Sequence, residues 1–242
     1  MVNALANHGY IERSGRKIYM EDLNASMRHV GMSPLLGSVF AIPTYFEYHN
    51  PALAYKTKPV GTWQRIWSII RNPYSFFDYF GCWKPDQTIN GRKFLNLDDL
   101  ASHGAIEHDV SLSRRDFAQE QGNNDPQQDL IDAMLDHSFD GESLTIDDLG
   151  TFIKARIQRQ LVDNPELVYG PPQHQVNCGQ LALMMGCFGD GKTIPVSYVK
   201  AIFEDERLPI REGWKRRYWW TMGLVEFFSA VNRMIKTVGV QF

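Results

Sequence analysis

The feature that most constrains this chain is a helix pattern in its middle, TIDDLGTFIKARIQRQL at 145–161. Thr145 has the side chain of a helix N-cap, and Asp148 follows three positions later, where a carboxylate completes a reciprocal capping box. Apolar residues then recur every three or four positions up to Leu161, which places them on one face of a helix. The pattern therefore predicts a long amphipathic helix from 146 onward.

Other segments also favour helices. The segment NLDDLASHG at 96–104 begins with a capping residue and stops at a glycine. An apolar stripe at 60–73 has helical spacing and ends before a proline. The apolar stretch at 214–238 predicts a buried C-terminal helix, broken near Gly223.

Patterns typical of strands are weak in this chain. The best candidate for extended chain is GSVFAIPTYFEYHNP at 37–51, where Pro43 would confine a strand to a sheet edge. No internal repeat is visible, and long connections rich in Gly and Pro join the elements. We therefore predict a mainly α fold, organised as one domain over 1–242, with loops long enough to line a site.

Composition and charge exclude several classes of function. The formal net charge of −3 gives no general attraction to nucleic acid or to an anionic membrane, and the short basic run 215–217 does not reverse this. No apolar run is long enough for a membrane span, and the first residues lack a secretory signal, which favours a cytoplasmic location. The three scattered cysteines argue against a disulfide framework or zinc site.

Aromatic residues are abundant, with 6 Trp, 10 Tyr and 14 Phe in the chain. Large rings build tight cores, and they also line pockets for hydrophobic ligands. We expect the pair Trp219-Trp220 to lie in the core, and a hydrophobic small molecule to be the binding partner. Oligomeric state is left open.

The segment ASHGAIEHDVSLSRRD at 101–116 places three ionisable residues side by side. If a helix ends at Gly104, Glu107 and Asp109 converge in the following loop with carboxylate ligands that suit Mg²⁺ or Mn²⁺. His108 has an ordinary pKa near neutrality and suits proton transfer. In the alternative, purely structural interpretation, Asp109 caps the next helix and Glu107 pairs with one of the two following arginines, residues 114 and 115.

Two further patterns are interpreted as structural. GCFGDGKT at 186–193 matches the spacing of a phosphate-binding loop but lacks the preceding buried strand, so we interpret it as a surface turn. His174 and Cys178 have the spacing of neighbours on a helix. Pro171 and Pro172 favour an irregular region there instead, which argues against a reactive Cys-His pair. Cys178 and Cys187 are nine residues apart, a spacing that suits neither a redox pair nor a zinc knuckle, so both are interpreted as core thiols.

Four segments in the same order resemble the fungal haem-thiolate peroxidases, the family of chloroperoxidases and unspecific peroxygenases. They are NALANHGYIERSGRKI at 3–18, NLDDLASHGAIEHDVSLSRRD at 96–116, GQLALMMGCFGD at 179–190 and VSYVKAIFEDERLPIREGWKRR at 196–217. The resemblance implies a single-domain helical fold. It also implies haem b bound by a cysteine thiolate, which promotes cleavage of the O–O bond of peroxide.

The resemblance assigns roles to the acidic cluster. In the family, the Glu of the Glu-His-Asp motif and a nearby Ser help to bind Mg²⁺ or Mn²⁺ beside a haem propionate. The matching metal-ligand positions here are Glu107, Asp109 and Ser111, with His108 between the two acids. A separate glutamic acid of the family moves a proton between the peroxide oxygens.

Two departures change the expected chemistry. The cysteine of the family lies four residues before the asparagine that matches Asn3, a position before Met1. The proton-transferring glutamate is replaced by Gln180, and an amide does not titrate in the useful range, although it still donates and accepts hydrogen bonds.

We therefore expect a tailoring enzyme of fungal secondary metabolism that needs no cofactor. It would cyclise, isomerise or dehydrate a polyketide- or terpenoid-like substrate, with His108 and Gln180 as catalytic residues. The first alternative is a haem-thiolate peroxidase or peroxygenase that uses hydrogen peroxide, with haem b and Mg²⁺ or Mn²⁺, whose cysteine was lost by truncation. The second is a non-catalytic protein that binds a hydrophobic metabolite.

Overall fold

Helices form the framework of this protein, and the predicted mainly α fold is confirmed. The computed structural model describes residues 1–49, 80–119 and 125–240, so the helix predicted at 60–73 lies outside the described residues. The helices are α1 Val2–Asn7, α2 Met20–Met27, α3 Pro34–Thr44, α4 Gln128–Leu135, α5 Ile146–Asp163, α6 Pro171–Cys187, α7 Val196–Phe203 and α8 Leu224–Val238. Among the described residues, 3-10 helices cover Arg28–Val30 and Leu97–Ala101.

The strands are short and form two small antiparallel sheets. They are β1 Ile18–Tyr19, β2 Thr88–Ile89, β3 Arg92–Leu95, β4 Ser143–Thr145 and β5 Thr193–Pro195. The first sheet has the order β1-β3-β2, and the second consists of β4 and β5. The apolar core is one cluster shared by the helices, and the assignment of one domain to 1–242 stays a prediction.

Helix α5 begins as its sequence predicts. The Asp148 amide donates to Thr145 Oγ1 over 3.1 Å, and the Thr145 amide donates to Asp148 Oδ2 over 2.8 Å, so the capping box is complete. Its buried face packs against α8. The apolar periodicity ends before Leu161, however, because that side chain is 69% exposed.

The strand expected at 37–51 is wrong for most of its length. Helix α3 occupies Pro34–Thr44, where Pro34 has the first helical position and Ser33 Oγ accepts a hydrogen bond from the Leu36 amide over 3.2 Å. Pro43 lies inside the last turn. A well-capped start outweighs the β-branched and aromatic composition that favoured a strand.

The helix expected from 214 is also shorter than predicted. Helix α8 begins at Leu224, directly after Gly223, and the preceding chain is irregular. Trp214 is buried and donates from Nε1 to the Cys187 carbonyl over 3.0 Å, while Met222 pairs with the backbone beside Met32. The chain between these anchors is held at the surface, so the core position expected for Trp219-Trp220 is wrong. The segment at 96–104 forms only the 3-10 helix that ends at Ala101.

The structure contains a repeat that the sequence did not reveal. In each unit an Asp-Gly turn leads through a short strand into a helix: Asp140 accepts the amides of residues 142 and 143, and Asp190 accepts those of residues 192 and 193, all over 2.7–2.8 Å. Strands β4 and β5 then pair, with Leu144 opposite Ile194. The units share their Asp-Gly pair but little else in sequence. The second turn occupies the segment that matched a phosphate-loop pattern.

Within the described part of the chain, no helix has both the length and the apolar character that a membrane crossing requires. The arrangement of α6 and α8 matters most for the site. The two helices pack against each other, and Gly179 of α6 lies opposite Phe227 of α8, where an added Cβ would make an ordinary van der Waals contact with the ring at 3.5 Å. This contact fixes one wall of a large cavity.

Candidate functional site

A cavity of about 800 Å³ lies between the N-terminal helices, the loop after the second 3-10 helix, and helices α6, α7 and α8. Its walls are mainly apolar and include the aromatic side chains Phe40, Phe80, Phe188, Phe203, Phe227 and Phe228. Pockets of this size and character bind small hydrophobic molecules, with a few polar groups that fix their orientation. The predicted pocket with aromatic walls is therefore present.

The polar residues predicted from sequence gather at this cavity, with one exception. His108, Gln180, Glu107 and Ser111 all border it, whereas Asp109 does not. Both predicted catalytic residues thus face the same space, although no catalytic or metal-binding role is tested by this placement.

His108 belongs to the cavity lining and has an unusual ring nitrogen. The residue is only 4% exposed, and its Nδ1 lies 2.7 Å from the carbonyl oxygen of Asp109. A carbonyl only accepts hydrogen bonds, so Nδ1 carries the proton and Nε2 of the neutral ring is a bare acceptor. Nε2 is buried and has no hydrogen-bonding partner among the described residues. Burial lowers the pKa of His108 and so favours this neutral form.

The loop that carries His108 is held in a strained conformation. Val110 has φ of 61°, in the left-handed region that a β-branched residue rarely adopts. Its amide donates to Asp116 Oδ1 over 2.9 Å, and its carbonyl accepts from Asn177 Nδ2 of α6 over 2.9 Å. These buried bonds fix the backbone turn that directs the Asp109 carbonyl toward the imidazole.

Neither carboxylate of the motif makes the structural contact that the sequence suggested, which was an ion pair with an arginine for Glu107 and a helix cap for Asp109. Glu107 Oε2 lies 2.6 Å from His103 Nδ1, and this hydrogen bond raises the pKa of His103. Asp109 is buried and caps no helix: its oxygens accept the amides of Phe117 and Val168, over 3.3 and 2.9 Å. Asp109 therefore ties two loop segments together.

The two arginines that follow the motif pair elsewhere. Arg115 binds Asp129 over 2.8 Å, and Arg114 Nη2 lies 3.5 Å from Glu206 Oε1. Arg114 also borders the cavity, and its Nη1 is buried without a hydrogen-bonding partner among the described residues. Sequence reasoning missed this group, since it treated the arginine only as a partner for Glu107.

The residues fit the predicted metal site only in part. Glu107 and Ser111 border the cavity, but both oxygens of Asp109 already bind backbone amides. Within 1–49, 80–119 and 125–240, no group of three or more His, Cys, Asp or Glu side chains could hold a metal ion. Binding of Mg²⁺ or Mn²⁺ at Glu107, Asp109 and Ser111 stays a prediction.

The cysteines do not supply a haem ligand at this cavity. Cys82, Cys178 and Cys187 are all buried, none of them borders the cavity, and burial raises the pKa of each thiol to about 12. A haem ligand must be a thiolate with access to the iron. The residues of this chain therefore do not fit thiolate ligation of a haem in the cavity.

Helix α6 is regular where an irregular region was expected. Pro171 and Pro172 occupy its first turn, where a missing amide proton costs no hydrogen bond. His174 Nε2 consequently lies 3.7 Å from Cys178 Sγ, and His174 Nδ1 lies 3.0 Å from the Tyr169 hydroxyl. His174 and Cys178 are buried and Tyr169 is half-buried, and none of the three belongs to the cavity lining. Gln180, two residues beyond Cys178, borders the cavity.

The fold and site define a class of protein: mainly α, with an apolar cavity whose wall includes Glu107 and His108 of the Glu-His-Asp motif. Residues 1–218 match the family model described as Peroxidase, family 2. Since this match spans most of the chain, the chain belongs to that family, and the predicted resemblance to the chloroperoxidases is confirmed.

A relative shows the same affiliation. A chloroperoxidase from Leptoxyphium fumago is 26% identical over an alignment of 235 residues, which covers 88% of this chain and 52% of the relative. The chain thus spans about half the length of the curated relative that it matches.

Proposed function

We propose that this protein is a haem-independent tailoring enzyme of secondary metabolism that transfers protons within a hydrophobic substrate. The reaction class is cyclisation, isomerisation or dehydration of a polyketide- or terpenoid-like molecule, and the cavity holds that molecule. The observation that carries the proposal is the buried Nε2 of His108, which has no hydrogen-bonding partner among the described residues and belongs to a side chain of the cavity lining.

His108 supplies a base that needs no cofactor. Its Nε2 lone pair removes a proton from a carbon or hydroxyl of the bound molecule, and Nδ1 remains bonded to the Asp109 carbonyl as the ring becomes positive. The proton is then returned to another atom of the same molecule, or to a leaving hydroxyl group in a dehydration. A positioned base of this kind contributes about 100- to 10,000-fold to a rate.

Gln180 and Arg114 supply hydrogen-bond donors on the same cavity. Gln180 and Arg114 both belong to the cavity lining, and Arg114 Nη1 has no hydrogen-bonding partner among the described residues. Donors of this kind stabilise the negative charge that develops on a carbonyl oxygen when a neighbouring carbon loses its proton. The apolar walls exclude water, and they hold the reacting ends together. Such positioning is worth up to about 7–11 kcal/mol in favourable cases.

The proposal is tested with a probe that reports any base in an apolar pocket. Nitrobenzisoxazole opens to a coloured phenolate when a base removes its carbon-bound proton, so turnover is followed by absorbance. We expect His108→Gln to lower the rate about 100-fold or more. The control His29→Gln, which changes an imidazole outside the cavity lining, leaves it unchanged.

Displacement of a hydrophobic dye from the cavity separates catalysis from binding. If His108→Gln and Gln180→Leu alter dye affinity while the probe is turned over no faster than in buffer, the protein is a binding protein and the catalytic proposal is wrong. If turnover falls equally in both histidine variants, His108 is not the base.

Haem-thiolate chemistry with peroxide is the family alternative, and an absorption spectrum distinguishes it. Protein purified from cells supplied with haem precursors would show a Soret band, with the red shift that thiolate ligation gives to the ferrous carbonyl form. Stoichiometric haem with that shift, together with turnover of peroxide, would overturn the haem-independent proposal.

A further inference from the structure

A short exposed segment before α8 carries the largest exposed aromatic side chains among the described residues. The exposed fractions are 69% for Tyr218, 93% for Trp219 and 82% for Trp220. We call residues 214–220 the aromatic-basic loop. The buried side chain of Trp214 anchors the start of this loop, and the backbone pairing of Met222 with Met32 anchors the chain two residues beyond its end. The fold therefore holds the two indole rings in solvent.

The charge of this loop is positive. Lys215, Arg216 and Arg217 precede the aromatic residues, and no acidic residue occurs between Trp214 and Glu226. Arg217 binds Glu226 over 2.7 Å, whereas the guanidinium of Arg216 lies over the Tyr218 ring at 4.1 Å. Three cations are therefore followed directly by three aromatic rings, and Glu226 pairs one of the cations.

We infer that the aromatic-basic loop docks this protein on the surface of an anionic phospholipid bilayer. Trp and Tyr rings favour the headgroup region, because one part of each ring is apolar and another is polar. Lys and Arg beside them are attracted to anionic headgroups. This attraction acts within about 8–10 Å at physiological salt, so the net charge of −3 on the whole chain does not cancel it. The sequence alone indicated that the basic run 215–217 is too short to attract an anionic membrane. The exposure of Tyr218, Trp219 and Trp220 beside it changes that interpretation, because the rings add an apolar contribution to that of the charges.

The surface continues from the loop to the cavity. Val225 is exposed on the first turn of α8, and Phe228, one turn further, is partly exposed and also borders the cavity. A hydrophobic molecule dissolved in the bilayer would thus meet the cavity rim without crossing water. The docking itself goes beyond the proposed reaction and does not depend on it.

The test uses vesicles of phosphatidylcholine alone and of phosphatidylcholine with phosphatidylserine, with bound protein measured by co-sedimentation. We expect binding to the serine-containing vesicles that weakens with added salt. The double variant Lys215→Gln/Arg216→Gln lowers affinity about 30-fold, at about 5-fold per charge. The double variant Trp219→Ser/Trp220→Ser lowers it at least about 10-fold.

Matched controls change the same chemistry elsewhere on the surface. Phe139→Ser removes a fully exposed ring, and Lys154→Gln/Lys200→Gln removes two exposed charges. Both controls keep wild-type vesicle binding. The substituted side chains are exposed, except that of Arg216, which is half-buried against the Tyr218 ring. Unfolding curves verify that each variant keeps its fold.

Three results would overturn the inference. One is no sedimentation with either vesicle. Another is wild-type binding in both loop variants. The third is concentration-dependent self-association that the Trp219→Ser/Trp220→Ser variant abolishes, which would make this surface an interface between two copies of the chain.

Discussion

Asp116 is the buried carboxylate on which the conformation of the His108 loop depends. Its Oδ1 accepts the Val110 amide over 2.9 Å and lies 3.5 Å from Arg156 Nη2, and its Oδ2 accepts from Asn164 over 3.1 Å. The side chains of Asp116 and Arg156 are 0% and 6% exposed, so water does not screen the pair. Replacing Asp116 by Ala leaves a guanidinium and a backbone amide without this acceptor.

The expected cost of Asp116→Ala follows from these contacts. Breaking a buried ion pair by removing one partner costs about 3–5 kcal/mol, because the remaining charge stays buried. An unsatisfied buried amide costs about 1–3 kcal/mol, and part of that cost overlaps with the first. We therefore expect the free energy of unfolding to fall by about 4 kcal/mol. For a chain of this length that lowers Tm by roughly 8–16 °C.

The assay is urea unfolding followed by far-UV circular dichroism, with Asp129→Ala as the control. Asp129 pairs with Arg115 at the surface, so its loss costs less than about 1 kcal/mol. A second variant, Asp116→Ala/Arg156→Met, removes both charges and recovers part of the loss. A decrease below about 1 kcal/mol for Asp116→Ala would refute the reasoning, as would a double variant no more stable than the single one.

Two further predictions concern pH and backbone packing. Burial lowers the pKa of His174 in the folded protein below its ordinary value of 6.5. Between that lower pKa and pH 6.5 the unfolded chain therefore binds more protons than the folded one. As a result, the free energy of unfolding is highest above pH 6.5 and decreases as pH falls through this window. His174→Gln therefore flattens the plot of unfolding free energy against pH in that window, and an unchanged slope would contradict the prediction. In Gly189→Ala, the new Cβ would lie 2.2 Å from the Thr193 carbonyl oxygen, whereas Gly223→Ala meets nothing within 4 Å. We expect the free energy of unfolding to fall by about 1–3 kcal/mol for Gly189→Ala only, as measured by thermal unfolding. Equal decreases in the two variants would contradict the prediction and show that the turn at Gly189 rearranges to accommodate the Cβ.

Local patterns predicted the parts of the fold that local interactions determine. Helix α5 was predicted because Thr145 and Asp148 cap each other within one turn. Helix α3 was missed because its composition favours a strand, while its start depends on the cap at Ser33. The surface position of Trp219 and Trp220 follows from contacts of the neighbouring Trp214 and Met222. Their partners, Cys187 and Met32, are distant in sequence, so no local pattern indicates these contacts.

The candidate site was predicted in its residues but not in its hydrogen bonds. The resemblance to a family brought His108, Gln180, Glu107 and Ser111 to notice, and all four border the cavity. The protonation of the imidazole depends on the Asp109 carbonyl, whose direction is set by a left-handed residue and by bonds from remote elements. Long-range contacts of this kind leave no trace in residue spacing.

The ladder between β4 and β5 has a consequence for how the protein is assembled. It joins α4 and α5 to α6 and α7 through three facing residue pairs, and within the described residues neither strand has another neighbour. An isolated half would leave its strand with an unpaired edge and an uncovered apolar side. The segment with α4 and α5 and the segment with α6 and α7 are therefore expected to become ordered in a single cooperative step. Helix α6, which carries Gln180, takes its final place only when both segments are present.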